Sequence, residues 1–128
     1  MRILITGAAG FIGQQLLADL AVQQPGWSLF AADIRELPGN LRYANVYPLH
    51  LDISQPAAVG KAVAACRPDA IVHLASVVSP PPGMSEATLH AIDVGGTQAL
   101  IEAAAANAVE QLIITSSGAA YGYYPENA

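Results

Sequence analysis

Three glycines at regular intervals, Gly7, Gly10 and Gly13, lie in the segment Thr6-Gly7-Ala8-Ala9-Gly10-Phe11-Ile12-Gly13. Each answers a need of a phosphate-binding turn. Gly7 lets the chain leave a strand sharply, and Gly10 leaves no side chain where a pyrophosphate approaches the backbone. Gly13 lets the following helix pack close to the sheet. The N-terminus of that helix then offers N–H groups and the positive end of its dipole to an anion. Gly7, Gly10, Phe11, Ile12 and Gly13 are therefore the residues expected around the phosphates. Asp33 lies twenty residues beyond Gly13, at the end of the next apolar run. A carboxylate there takes the two hydroxyls of an adenosine ribose and repels a 2′-phosphate, so the expected cofactor is NAD, with NADP disfavoured. Arg35 is open to two readings, as a partner for a 2′-phosphate or as a solvated loop charge.

Other reactive side chains carry less. His50 and His90 have no carboxylate or cysteine at metal-ligand spacing, and no metal site is expected. His73 sits in an apolar run, where a structural histidine bonded to a neighbour is the expectation. Cys66, the single cysteine, lies in an apolar helical run and is expected to be a buried, inert thiol. Asp52 fits either a cap for the following helix or a contact to adenine.

Elements that would position these residues alternate along the chain. Strands are predicted over Arg2 to Thr6, Trp27 to Asp33, Val46 to Leu51, Ala70 to Ala75 and Gln111 to Thr115. The first helix is predicted from Phe11 to about Gln23, with Ile12, Leu16 and Leu20 on one face and Leu17 beside them. A second runs to about Cys66, with Ser54 as N-cap and Pro56 in its first turn. A third, opened by Ser85, runs to about Asn107 and includes an awkward Gly95-Gly96. The loop Pro80-Pro81-Pro82-Gly83 fits a substrate mouth or a stiff surface turn. Residues 116–128 read as loop. Strands separated by helices imply right-handed crossovers and one parallel sheet. The expected fold is an α/β, three-layer, doubly wound Rossmann domain over residues 1–128, with strand order 3-2-1-4-5.

Bulk properties narrow the partners. Hydrophobic residues make up 53% of the chain and charged ones 12%, which suits elements covered on both faces. Five basic residues against a net charge of −5 make no footprint for nucleic acid. No apolar run reaches the length of a membrane span, and the N-terminus lacks the pattern of a signal peptide. A cytoplasmic protein is the expectation.

The glycine spacing Gly-x-x-Gly-x-x-Gly, led by Thr6, resembles the short-chain dehydrogenase/reductase superfamily. The whole chain resembles its extended branch, the NAD-dependent epimerase/dehydratase family. Asp52-Ile53 resembles the Asp-hydrophobic pair that meets adenine. Pro68-Asp69-Ala70-Ile71-Val72-His73-Leu74-Ala75 resembles the fourth-strand signature, which implies that Leu74, Ala75 and Ser76 line the cofactor. Thr115-Ser116-Ser117-Gly118-Ala119-Ala120-Tyr121-Gly122 resembles the fifth-strand signature; the resemblance puts Thr115 beside the cofactor and makes Ser117 catalytic. Asp93-Val94-Gly95-Gly96-Thr97 departs from the family's Asn-Val-x-Gly-Thr, since an ionised Asp has no donor.

What the resemblance implies is an NAD-dependent epimerase, dehydratase or dehydrogenase acting by hydride transfer on a hydroxyl-bearing small molecule such as a nucleotide sugar. Its acid–base pair, Tyr-x-x-x-Lys, is absent, because Lys61 is the single lysine and Ala57 stands four residues before it. The chain is therefore expected to be the cofactor-binding part of a longer enzyme, lacking the substrate-binding part and inactive alone. The alternative is a non-catalytic, cofactor-sensing module. A homodimer or other self-association is expected, because the fifth strand would leave Leu112, Ile113 and Ile114 along a sheet edge.

Overall fold

The computed structural model describes residues 1–75 and 82–115. Five strands, β1 (Arg2–Thr6), β2 (Ser28–Asp33), β3 (Val46–His50), β4 (Ala70–His73) and β5 (Gln111–Ile114), form one parallel sheet in the order β3-β2-β1-β4-β5. This is the doubly wound order expected from the sequence. The helices α1 (Phe11–Gln23) and α2 (Pro56–Cys66) link the first strands, and the chain between β2 and β3 holds a short 3₁₀ turn at Gly39–Leu41. The expected loop at residues 116–128 and the part of the triple-proline segment at 80–81 lie outside the described residues.

Side-chain alternation along the strands divides the core into two layers. Ile3 and Ile5 of β1, Leu29 and Ala31 of β2 and Ala70 of β4 face α1, where Leu17 and Ala21 are buried against them. Leu4, Ala32 and Ile71 point to the opposite face and meet Val59, Val63 and Cys66 of α2 and Leu100 and Ala103 further on. Cys66 is buried as expected, and burial pushes its thiol pKa up against the opposing charge of Arg2. Pro48 is tolerated because β3 is an edge strand. There Tyr47 stacks on Phe30 at 5.4 Å between ring centroids, and the Arg2 guanidinium lies 4.8 Å from the same Phe30 ring.

Three local expectations are corrected. The buried face of α1 runs through Gly13, Leu17 and Ala21, while Ile12, about 100° round the helix from that row, is 60% exposed. Leu16 and Leu20 do pack against the core. The N-cap of α2 is Gln55, without a side-chain bond. Ser54 instead donates its N–H (2.9 Å) and hydroxyl (2.6 Å) to Oδ1 of Asp52, so Asp52 caps a tight turn ahead of the helix.

The third correction concerns the long helix. Ser85 is its N-cap, accepting from the Thr88 N–H at 3.1 Å. After α3 (Glu86–His90) comes a π-helical turn (Ala91–Gly95), and α4 (Gly96–Ala106) continues with helical dihedrals across both junctions. The π turn abuts a close approach. A Cβ on Gly96 would stand 2.8 Å from Cδ1 of Ile53, so the missing side chain is what lets α4 reach the segment after β3.

Candidate nucleotide-binding site

Every described candidate residue sits at the carboxyl ends of the strands. The glycine loop follows β1, Asp33 ends β2, and Asp52 and Ile53 follow β3. Leu74 and Ala75 follow β4, and Thr115 follows β5. In an open parallel sheet that edge is where ligands bind, most of all where the winding reverses, here between β1 and β4. Ser76 and Ser117 lie outside the described residues.

The three glycines differ in what they do. Gly7 is in the left-handed region with φ +70°, and a Cβ there would lie 2.6 Å from the Ala75 nitrogen. The turn thus needs glycine for its backbone and for its contact with the end of β4. A Cβ on Gly13 would overlap the Gly7 carbonyl oxygen and lie 2.8 Å from Ala8 Cα. Gly13 therefore lets α1 close onto the loop itself, where the sequence suggested close packing on the sheet. Gly10 is the open position. Its added Cβ would come no nearer than 3.2 Å to the Gly7 oxygen, and the next neighbour is Nη2 of Arg35 at 3.7 Å. Gly10 is also the N-cap of α1, which has neither a side-chain cap nor an acidic residue in its first turn. The positive end of that helix thus meets no side-chain anion of its own first turn.

Asp33 closes the loop against β2. Its Oδ2 accepts the Ala9 N–H at 3.0 Å, and Oδ1 accepts the Arg35 N–H at 2.9 Å. The Arg35 guanidinium completes an ion pair through Nε on Oδ1 (3.2 Å) and Nη2 on Oδ2 (3.3 Å). Burial alone would push the Asp33 carboxyl up. The hydrogen bonds from the Arg35 side chain, its amide and the Ala9 amide, with the guanidinium charge, outweigh that and hold it below the ordinary 3.8. Arg35 is thus a largely exposed loop charge, as one of its two readings had it, and it is also the partner of Asp33.

A second network runs under the loop. Thr6 Oγ1 accepts from the Leu74 N–H (3.2 Å) and the Ala75 N–H (3.3 Å) and meets His73 Nδ1 at 2.6 Å. On the other side of the ring, His73 Nε2 meets Thr97 Oγ1 at 3.0 Å, and that hydroxyl donates to the Asp93 carbonyl at 2.8 Å. Thr97 has spent its proton, so the ring must donate from Nε2 and accept at Nδ1 from Thr6. The histidine is neutral and structural, as expected. Burial lowers its pKa, against the charge of Asp93. Nothing in the sequence pattern singles out the Thr6 and Thr97 side chains. The available cue is a histidine inside an apolar strand, which needs polar partners.

The remaining candidates take other positions. The Ile53 side chain is buried in the core on Gly96. Phe11 is 80% exposed at the mouth of the loop, and Thr115 is exposed, its N–H and Oγ1 each 3.4 Å from the His73 carbonyl oxygen. Among the described residues no group of three His, Cys, Asp or Glu could hold a metal ion, and no helix is long and apolar enough to cross a membrane.

Fold and loop together define a Rossmann-type domain. Over residues 3–128 the sequence matches the NAD dependent epimerase/dehydratase family, and the chain belongs to that family. It is 30% identical to the dTDP-L-rhamnose 4-epimerase of Burkholderia thailandensis, across 94% of this chain and 36% of that protein. The structure of Thermus thermophilus UDP-glucose 4-epimerase in complex with NAD superposes with a TM-score of 0.82 at 29% identity, over 100% of this chain and 42% of the other. A uronate dehydrogenase variant from Agrobacterium tumefaciens complexed with NAD gives 0.80 at 31%, over 98% and 44%. The chain therefore spans well under half the length of these relatives.

Proposed function

We propose that residues 1–128 form the cofactor-binding part of an NAD-dependent epimerase, dehydratase or dehydrogenase whose substrate carries a hydroxyl group, with a nucleotide sugar as the favoured class. The observation that carries this is Asp33: a buried carboxylate at the end of β2, bonded to the glycine loop through Ala9 and paired with Arg35, whose Nη2 reaches to 3.7 Å from the open position at Gly10. The residues fit a dinucleotide. The uncapped start of α1 with Gly7, Gly10, Phe11, Ile12 and Gly13 would take the pyrophosphate, and Asp33 the adenosine ribose. Asp52 and Ile53 would border the adenine, Ile53 through its main chain because its side chain is committed to the core. Leu74, Ala75, Ser76 and Thr115 would flank the rest.

When bound, NAD supplies reversible two-electron oxidation at a carbon bearing a hydroxyl group. Within this chain Ser117 would hydrogen-bond the reacting oxygen and hold it in place. The substrate class follows the relatives, two of which are named as epimerases of nucleotide sugars. The second reading, a cofactor-sensing module, is favoured by one fact: no Tyr-x-x-x-Lys occurs in these 128 residues.

Calorimetry with NAD and NADP tests the assignment. NAD should bind at least about tenfold more tightly, because Asp33 repels a 2′-phosphate. Equal or reversed affinities would overturn it. Self-association is also proposed, through the β5 edge, where Ile113 and Ile114 are 45% and 42% exposed. A strictly monomeric mass by light scattering at high concentration would count against it.

A further inference from the structure

A carboxylate offers about four acceptor positions, two on each oxygen, and all four on Asp33 are engaged. Two are held by main-chain amides that the fold fixes, Ala9 on Oδ2 at 3.0 Å and Arg35 on Oδ1 at 2.9 Å. The other two are held by one guanidinium, through Nε at 3.2 Å and Nη2 at 3.3 Å. An adenosine ribose brings two hydroxyls and needs two acceptor positions on this same carboxylate. The positions that can be vacated are the two that Arg35 fills. Its guanidinium also lies over the glycine loop, with Nη2 3.7 Å from where a Gly10 side chain would begin.

We propose that Arg35 is an internal competitor for the cofactor, its guanidinium occupying the ribose positions of Asp33 and leaving them when a dinucleotide binds. The proposal rests on the assignment of Asp33 to the adenosine ribose. The arm is built to leave. Its two bonds are the longest on the carboxylate, and the Arg35 side chain is 63% exposed while that of Asp33 is 7% exposed. Release needs only rotation of a surface side chain, with the Arg35 and Ala9 amides still in place. Without cofactor the pair keeps a buried charge partnered, which a carboxylate in this position requires. With cofactor, the hydroxyls take over that task, and part of the binding energy goes into displacing the arm.

The test is calorimetry on the full chain with two probes, NAD and a dinucleotide whose adenosine ribose lacks both hydroxyls. The second probe has no group to exchange for the guanidinium, but it feels the same loss of positive charge. In Arg35→Met, affinity for NAD relative to the second probe should rise about threefold to fivefold, the size of a partly exposed ion pair. A ratio that stays the same or falls overturns the proposal. Asp33→Asn separates this from the assignment beneath it. If Asp33→Asn binds NAD as well as the wild type, or the wild type does not bind, the ribose assignment fails and takes the competitor with it. If Asp33→Asn weakens NAD and Arg35→Met leaves the ratio unchanged, the competitor alone is refuted.

Discussion

Thr6 and His73 stand 67 residues apart in the chain, yet Oγ1 of one lies 2.6 Å from Nδ1 of the other. The contact ties the residue that leads the glycine loop to the end of β4, and Thr97 extends it to α4. One neutral imidazole thereby holds three elements of the nucleotide-binding edge together.

That ring predicts an acid sensitivity. Its folded pKa is lowered below the ordinary 6.5, so the unfolded chain takes up the proton first as pH falls. Where the unfolded state binds more protons, stability drops with decreasing pH. The contribution of His73 is therefore complete above about pH 6.5 and lost as pH falls toward and through the folded value. Urea midpoints measured between about pH 7 and pH 5 should fall in the wild type. In His73→Gln they should start lower, corresponding to about 1–3 kcal/mol of unfolding free energy, and fall less. Parallel profiles would refute the neutral ring.

The glycines should separate into folding and binding classes. Gly7→Val forces a β-branched residue to φ +70° and into Ala75, and Gly13→Val drives a side chain into the Gly7 carbonyl. Each should cost about 2 kcal/mol or more in urea unfolding. In Gly10→Leu the new Cβ meets nothing closer than 3.2 Å, and the next neighbour is the exposed arm of Arg35. The variant should stay within about 1 kcal/mol of wild type while losing NAD binding by calorimetry. A Gly10→Leu protein that binds NAD normally would remove the loop from the site.

Gly96 and Ile53 should behave as a coupled pair. Gly96→Ala places a methyl group 2.8 Å from Ile53 Cδ1, and overpacking of this kind costs about 1–3 kcal/mol. Ile53→Val removes the nearest atom, Cδ1, and leaves the looser contacts at 3.1 and 3.2 Å, so the double variant should be more stable than the two single losses imply, by about 0.5 kcal/mol or more. Additive losses in a denaturation cycle would show that the helix shifts instead.

The chain by itself should bind NAD without turning over a sugar or nucleotide-sugar substrate, because it holds no Tyr-x-x-x-Lys to carry the proton. Assay of NAD reduction for a dehydrogenase, with chromatographic product analysis for an epimerase or dehydratase, which returns its NAD unchanged, checks this at high protein concentration; measurable turnover would show that another base serves.

Legibility in the sequence followed how local each signal is. Gly and Pro mark the ends of β1, α1 and α2; β1 and α1 begin and end where expected, while the start of α2 lies one residue beyond the place a Ser54 cap implies. The alternation of elements gave the sheet order through a general rule of handedness. The sharp turn at Gly7 and the place of Asp33 at the end of β2 were readable because residue type and spacing carry them. Ser54 and Ile12 misled because a cap and a buried face depend on the angle at which the helix meets the sheet. Arg35 was ambiguous because two residues of spacing do not say which way a side chain folds; the end of β2 decides that by turning its amide and guanidinium onto one carboxylate.

The wide turn at Ala91–Gly95 holds about one residue more than an α-helical turn, so a helical wheel drawn through residues 86–106 slips by roughly 100° across it. Residues 86–90 are set on one phase of the helix, and Thr97, Leu100 and Ala103 on the phase of α4, from which Leu100 and Ala103 serve the core. The slip makes this turn a place where this chain could lose a residue without unseating α4. Shortening it to an α-turn would re-aim everything toward Ser85 while leaving α4 seated, whereas the same deletion inside α4 would turn Leu100 out of the core.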